Sequence, residues 1–126
     1  MILLLLACAN SPDQPRTVAW DHEVCGHCGM TVSDPAFAVQ LATKDGETVL
    51  FDDPACGFGY VLEKHPSIAH MWFHDRTSDA WHDWNTVEFV PATGAPMNGG
   101  FAAAPVGSGG ISFSEASSAV LSRKKP

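Results

Sequence analysis

The stretch Cys25-Gly-His-Cys-Gly-Met30 places two cysteines, a histidine and a methionine within six positions, and the remainder of the chain has to be a scaffold that can present them. A sulfur-rich donor set selects Cu(I), zinc or an iron-sulfur centre over magnesium or calcium, because polarizable sulfur bonds best to soft cations. The methionine narrows the choice. A thioether is a neutral, weak donor that suits Cu(I), whereas structural zinc prefers thiolate and imidazole. The following Thr31-Val-Ser-Asp-Pro does not read as a helix, so the cluster lacks the helix that normally follows a thioredoxin-type Cys-x-x-Cys.

The scaffold available is one modest domain. The chain has 126 residues, 45% hydrophobic and 17% charged, which supports a single core and argues against wholesale disorder. A formal charge of −7 speaks against a nucleic-acid partner, since a phosphate-binding surface needs a surplus of Lys and Arg. The basic run Arg123-Lys-Lys125 reads as a solvated helix end that complements the helix dipole. Residues 1–8, Met-Ile-Leu-Leu-Leu-Leu-Ala-Cys, are apolar but well short of the roughly 20 residues that span a bilayer. They read as a lipoprotein-type export signal, in which Leu5-Leu6-Ala7-Cys8 resembles the bacterial lipobox and Cys8 would carry the lipid. A plain secretory signal or a buried strand is the alternative. More than one acyl chain on Cys8 would anchor the protein stably to a bacterial membrane, facing the periplasm or the cell exterior. Residues 9–20, polar and proline-bearing at their start, read as a flexible tether, leaving 21–126 as the folded domain. With Cys8 acylated, Cys25, Cys28 and Cys56 remain, and an odd number leaves at least one thiol unpaired.

Alternation in Phe37-Ala-Val-Gln-Leu41 predicts a strand with one buried face, Lys44-Asp45-Gly46 a turn, and Thr48–Phe51 a second strand completing a hairpin. Asp52 and Asp53 offer an N-cap and Pro54 fits the first helical position. A helix is therefore expected from about Pro54 to Lys64, with Ala55, Phe58 and Leu62 on one face and Pro66 as its stop. Gly57 and Gly59 weaken it unless something packs closely there. Ile68–Phe73 reads as a third strand, and a fourth lies within Trp81–Val90. Beyond a Pro/Gly loop and Phe101–Ala104, a short strand is expected at Ile111–Phe113 and a final helix at about Glu115–Arg123, capped by Ser114. The halves correspond loosely. Cys28-Gly-Met30 ahead of Phe37-Ala-Val matches Ala95-Pro-Met97 ahead of Phe101-Ala-Ala, and Val49–Ala55 matches Ile111–Ser117. The fold class expected is α+β, with two pseudo-symmetric ββα(β) units sharing one core.

Taken in order, Cys25-Gly-His-Cys28-Gly-Met30, Asp34-Pro-Ala-Phe37-Ala-Val-Gln-Leu41, Phe51-Asp-Asp53 followed by Cys56 and Tyr60, Trp72-Phe-His-Asp75, and Pro96-Met97 with Gly99-Gly100 form a pattern that resembles the NosL family. Members of that family are exported copper-binding lipoproteins that serve nitrous oxide reductase. The resemblance covers about Val24 to Phe101. It implies a non-enzymatic metallochaperone in a fold of two ββαβ units, carrying Cu(I) to the copper centre of nitrous oxide reductase. A carrier for another exported copper acceptor is the near alternative. The family's sulfur ligands carry over onto Cys28, Met30 and Met97.

The residues themselves permit that set. Cys28 and Met30, two apart, project to the same side of an extended segment. Met97, in a loop of proline and glycine, is less suited to filling a core than Met71 in its apolar strand. Cys25 has three readings: a second thiolate ligand, half of a Cys25–Cys28 disulfide, or a bystander. His27 is an accessory candidate, since neutral imidazole also suits copper. Cys56 is expected to serve packing first, Asp52 and Asp53 to serve capping and surface solvation, and the other histidines to be surface or hydrogen-bonded residues. Two further functions stay open. One is a structural zinc module using Cys25, Cys28, Cys56 and a histidine; the other is a thiol-redox module working through Cys25 and Cys28.

Overall fold

A computed structural model describes residues 13–123; the signal expected at residues 1–8, with Cys8, lies outside the described residues. A short 3-10 turn at Pro35–Phe37, capped by Asp34, leads into β1 (Val39–Thr43) and β2 (Thr48–Phe51), which pair antiparallel with Val39 opposite Phe51. Helix α1 (Pro54–Lys64) follows, then β3 (Ile68–His74) and β4 (Trp81–Asp83). These four strands form one antiparallel sheet in the order β2-β1-β3-β4. A second sheet pairs β5 (Glu88–Pro91) with β6 (Phe101–Ala104), and α2 (Phe113–Ser122) ends the described chain. The architecture is mixed α+β, with two sheets and two helices among the described residues. No helix among them is long and apolar enough to cross a membrane.

Strand β1 is buried along its whole length, not on one face. It is flanked by β2 and β3, and its fully buried Gln40 is satisfied from outside the sheet. The Gln40 side chain accepts from the Arg16 main-chain N–H at 3.0 Å and donates to the Arg16 carbonyl at 2.8 Å. That pairing corrects the tether at its C-terminal end. Residues 16–20 lie against the sheet, with Val18 buried and Trp20 edge-on to His74 at 5.7 Å, because a buried amide must find partners.

Helix α1 begins and ends where expected. Asp53 caps it and Pro54 occupies its first turn, while His65 closes it in the left-handed conformation ahead of Pro66. Leu62, by contrast, is 55% exposed; the inward face is set by Ala55, Cys56, Phe58 and Gly59 in the first half of the helix. Both glycines there are sites of close approach. A Cβ at Gly57 would stand 2.9 Å from the Met71 side chain, and one at Gly59 3.0 Å from the His27 ring.

The segment expected as one strand, Trp81–Val90, divides into β4 and β5, which belong to different sheets. A turn in which the Trp84 N–H reaches the Met71 carbonyl and the Val87 N–H the Asp83 carbonyl separates them. Ile111 makes a single bridge to Phe89 in place of the expected short strand. Phe113 already belongs to α2, whose cap is Ser112, not Ser114. Ser112 and Glu115 exchange side-chain-to-backbone bonds as a capping box, which fixes the start two residues early.

The two halves share an order, a strand region feeding a capped helix, but not a pairing scheme. β1 pairs β2 directly, whereas Phe89 of β5 stands between β6 and Ile111. One core nevertheless serves both. Phe58 of α1 and Phe73 of β3 touch each other, and each touches both Phe89 of β5 and Phe113 of α2, in a set of tilted and edge-on contacts with Phe73 and Phe89 centroids 4.9 Å apart. A single bridge between Asp75, just past the end of β3, and Ala103 of β6 ties the two sheets.

Candidate metal centre

The soft-donor stretch folds as a tight hairpin. Val24 and Thr31 pair antiparallel, the Cys25 N–H donates to the Met30 carbonyl at 2.7 Å, and the Gly29 N–H returns to the Cys25 carbonyl at 3.1 Å. Gly29 takes the left-handed conformation that such a reversal needs. The Gly26 N–H donates to the Leu50 carbonyl at 2.7 Å, docking the hairpin on β2. There it faces the link between β2 and α1, where Asp52 and Asp53 are both buried, and the first turn of α1, which carries Cys56.

One ligand atom from each of Cys25, Cys28, Asp52 and Cys56 lies within 4.8 Å of all the others. Three cysteines and a carboxylate so placed form a group able to bind a metal ion. The cysteines are free thiols, Cys25 and Cys56 buried and Cys28 partly open. Their environments differ. The hydrogen bond from Cys56 lowers the Cys25 thiol to about 6 against its burial, and the Cys28, Asp52 and His27 main-chain N–H groups add to that. The Cys28 N–H stands 3.5 Å from the Cys25 sulfur. Burial raises the Cys28 thiol to about 11, with the Cys25 sulfur and the Asp52 carboxylate adding to the rise; its S–H points at both Asp52 oxygens, 3.3 Å away. Cys56 is pushed far up, first by its hydrogen bond to Cys25, then by burial and by the negative charge around it. That outcome reverses what its place on the first turn of α1 suggests, since the helix dipole alone would favour a thiolate. In the metal-free site the charge therefore sits on Cys25, and the other two sulfurs hold protons that a metal would displace.

Of the residues singled out in the sequence, Cys25 and Cys28 are in this group. His27 is outside it: its ring rests over Gly59, with Nε2 3.4 Å from Glu63 and a buried Nδ1 that has no hydrogen-bond partner among the described residues. Met30 and Met97 are exposed, at 48% and 40%. Met30 contributes its main-chain N–H to the Cys28 sulfur. Met97 comes from the other half of the chain, and its N–H donates to Asp53, the neighbour of Asp52, at 2.9 Å. Met71 is fully buried, as expected of a packing residue.

Cys56, expected first as a packing residue and as a ligand only in the zinc alternative, joins the group, and Asp52, expected to serve capping and surface solvation, takes the place that alternative gives to a histidine. Only one of two consecutive acids can cap a helix, and Asp53 does so. The other acid, Asp52, directly after a buried strand, is the available sign that it has other work. Comparison of the chain with protein-family models, curated proteins and solved structures gives no match.

Proposed function

We propose that the protein is an exported, lipid-anchored Cu(I) metallochaperone of the NosL kind, tethered through Cys8, that delivers copper to nitrous oxide reductase for assembly of its copper centre. The observation that carries this reading is the gathering of three thiols beside a carboxylate at one junction of hairpin and helix, only one of them partly open. Cys28 is the point of entry and exit, since Cys25 and Cys56 lie buried behind it. Its thiolate, with the thioethers of Met30 and Met97, makes a soft donor set of low charge that suits Cu(I).

Cu(I) has a filled d shell and tolerates low coordination, so an acceptor's ligand can join before a resident one leaves. Transfer by ligand exchange needs no catalytic group. The acceptor is nitrous oxide reductase or another exported cuproprotein, and the work is done outside the cytoplasm.

Anaerobic titration against a Cu(I) chelator tests the reading. The chain should compete for one Cu(I), with affinity falling at least tenfold in Cys28→Ser and Met97→Ala; no competition, or no effect of either change, sinks it. A structural zinc site is the second reading, favoured by the number and kind of buried donors in the four-residue group. Metal analysis of protein purified without added metal, with melts in the presence and absence of chelator, separates the two. Zinc predicts one tightly held ion whose removal unfolds the domain.

A further inference from the structure

We propose that Asp53 is a positioning residue for Met97: beyond capping α1, its carboxylate seats the loop that brings this methionine from the second half of the chain to the thiol cluster. The proposal rests on the reading of Met97 as a copper ligand. Capping alone does not explain an aspartate here. One oxygen suffices for a cap, and Oδ1 supplies it, accepting from the Ala55 N–H at 2.9 Å. Serine or asparagine would cap as well, and the hydroxyl would avoid a fully buried carboxylate.

The second oxygen is committed to the distant loop. Oδ2 accepts from the Met97 N–H at 2.9 Å and the Gly99 N–H at 3.3 Å. The approach is so close that a Cβ on Gly99 would stand 2.5 Å from Asp53 Oδ1 and 2.8 Å from the Ala55 Cβ. Other contacts hold the loop without touching Met97. The Asn98 N–H closes a turn on the Ala95 carbonyl at 2.9 Å, and Ala95 is buried with Phe37 and Ala102. Arg123 reaches the Gly99 carbonyl at 3.4 Å and lies over the Phe101 ring. Asp53 is thus the contact that joins this loop to the β2–α1 link. Its neighbour Asp52 receives the Cys28 S–H, so two consecutive carboxylates hold the thiol hairpin and the methionine loop to the same point of the backbone.

The test compares Asp53→Asn and Asp53→Ser with Met97→Ala. Both Asp53 variants keep a capping oxygen and lose the second acceptor. In the metal-free protein, amide hydrogen exchange at Met97 and Gly99 should accelerate at least tenfold in either variant while the α1 amides keep their protection. In anaerobic competition for Cu(I), Asp53→Asn should lose about as much affinity as Met97→Ala, and the double variant should be no worse than Met97→Ala alone. Unchanged exchange at Met97 and Gly99, unchanged affinity in Asp53→Asn, or losses that multiply in the double variant would each overturn the proposal. Should Asp53→Ser fail to fold, Asp53→Asn carries the same comparison. A wild-type chain that does not compete for Cu(I) sinks the copper reading itself; competition lost in Met97→Ala but kept in Asp53→Asn sinks this inference alone.

Discussion

Three thiols in one small space cannot share the same chemistry, because each ionisation raises the cost of the next. Cys25 takes the charge, since the Cys56 S–H and three main-chain N–H groups point at its sulfur, whereas Cys28 faces a carboxylate. In the metal-free protein an ultraviolet thiolate titration should therefore show one step near pH 6, absent in Cys25→Ser and moved upward in Cys56→Ala. The sign of the stability effect follows. Cys25 titrates below its ordinary value of 9.0, so its contribution is complete above about that pH and is lost as pH falls through about 6. Cys28, raised to about 11, contributes below 9.0 and loses that contribution as pH rises through 11. Urea melts of Cys25→Ser and Cys28→Ser across this range should show the two opposite slopes removed.

Helix starts are where local sequence and structure agree most closely, and also where two residues can exchange roles. Asp53 with Pro54 sets α1 as the sequence predicts. At α2 the Ser112–Glu115 capping box takes precedence over Ser114, because reciprocal bonding satisfies two orphan N–H groups where a lone serine satisfies one. Ser112→Ala should cost about 1 kcal/mol, and the exposed Ser114→Ala should stay within about 0.5 kcal/mol of wild type; chemical denaturation distinguishes them. The joint between β3 and β4 has its own fastener. Asp75 accepts from His82 at 2.6 Å and from the Thr77 and Ser78 N–H groups at 2.8 and 3.0 Å. Burial would raise its carboxyl, but these bonds outweigh it and hold the group at about 2. Its contribution is therefore complete above about 3.8 and is lost as pH falls through about 2. Asp75→Asn should cost about 2 kcal/mol at neutral pH and flatten the acid limb of a stability–pH curve.

The molecule as a whole is a shared core with the donor group at its edge. Phe58, Phe73, Phe89 and Phe113 come from α1, β3, β5 and α2, so neither half can be emptied without exposing the other. Phe58→Ala should lose about 3–5 kcal/mol, and both sheets should melt in one transition followed by tryptophan fluorescence and far-ultraviolet dichroism alike. Separate transitions would contradict a common core. Cys25 and Cys56 belong to the same packed cluster, which couples the metal group to the fold. A bound ion should raise the melting temperature in proportion to the logarithm of its free concentration above Kd.

The sequence by itself determined the elements whose signals are local: the β1–β2 hairpin, the Asp53–Pro54 start of α1, the Gly46 turn, and a cluster of soft donors on non-helical backbone. These depend on φ/ψ preference, capping and spacing, all of which act within a few residues. It also showed Cys56 and Asp52 without deciding their use. Only the tertiary structure decided that Cys56 and Asp52 stand with Cys25 and Cys28, that β4 and β5 part into different sheets, and that residues 16–20 cover Gln40. Each outcome depends on groups tens of residues apart in the chain satisfying one another's buried atoms, as Arg16 does for Gln40 and the Met97 loop does for Asp53. The opening hairpin supplies two thiols; the β2–α1 link and the first turn of α1, some 24 to 31 positions on from them, supply the rest of the group, because the hairpin docks on β2 beside that junction, where a buried polar atom must find its partners across the chain.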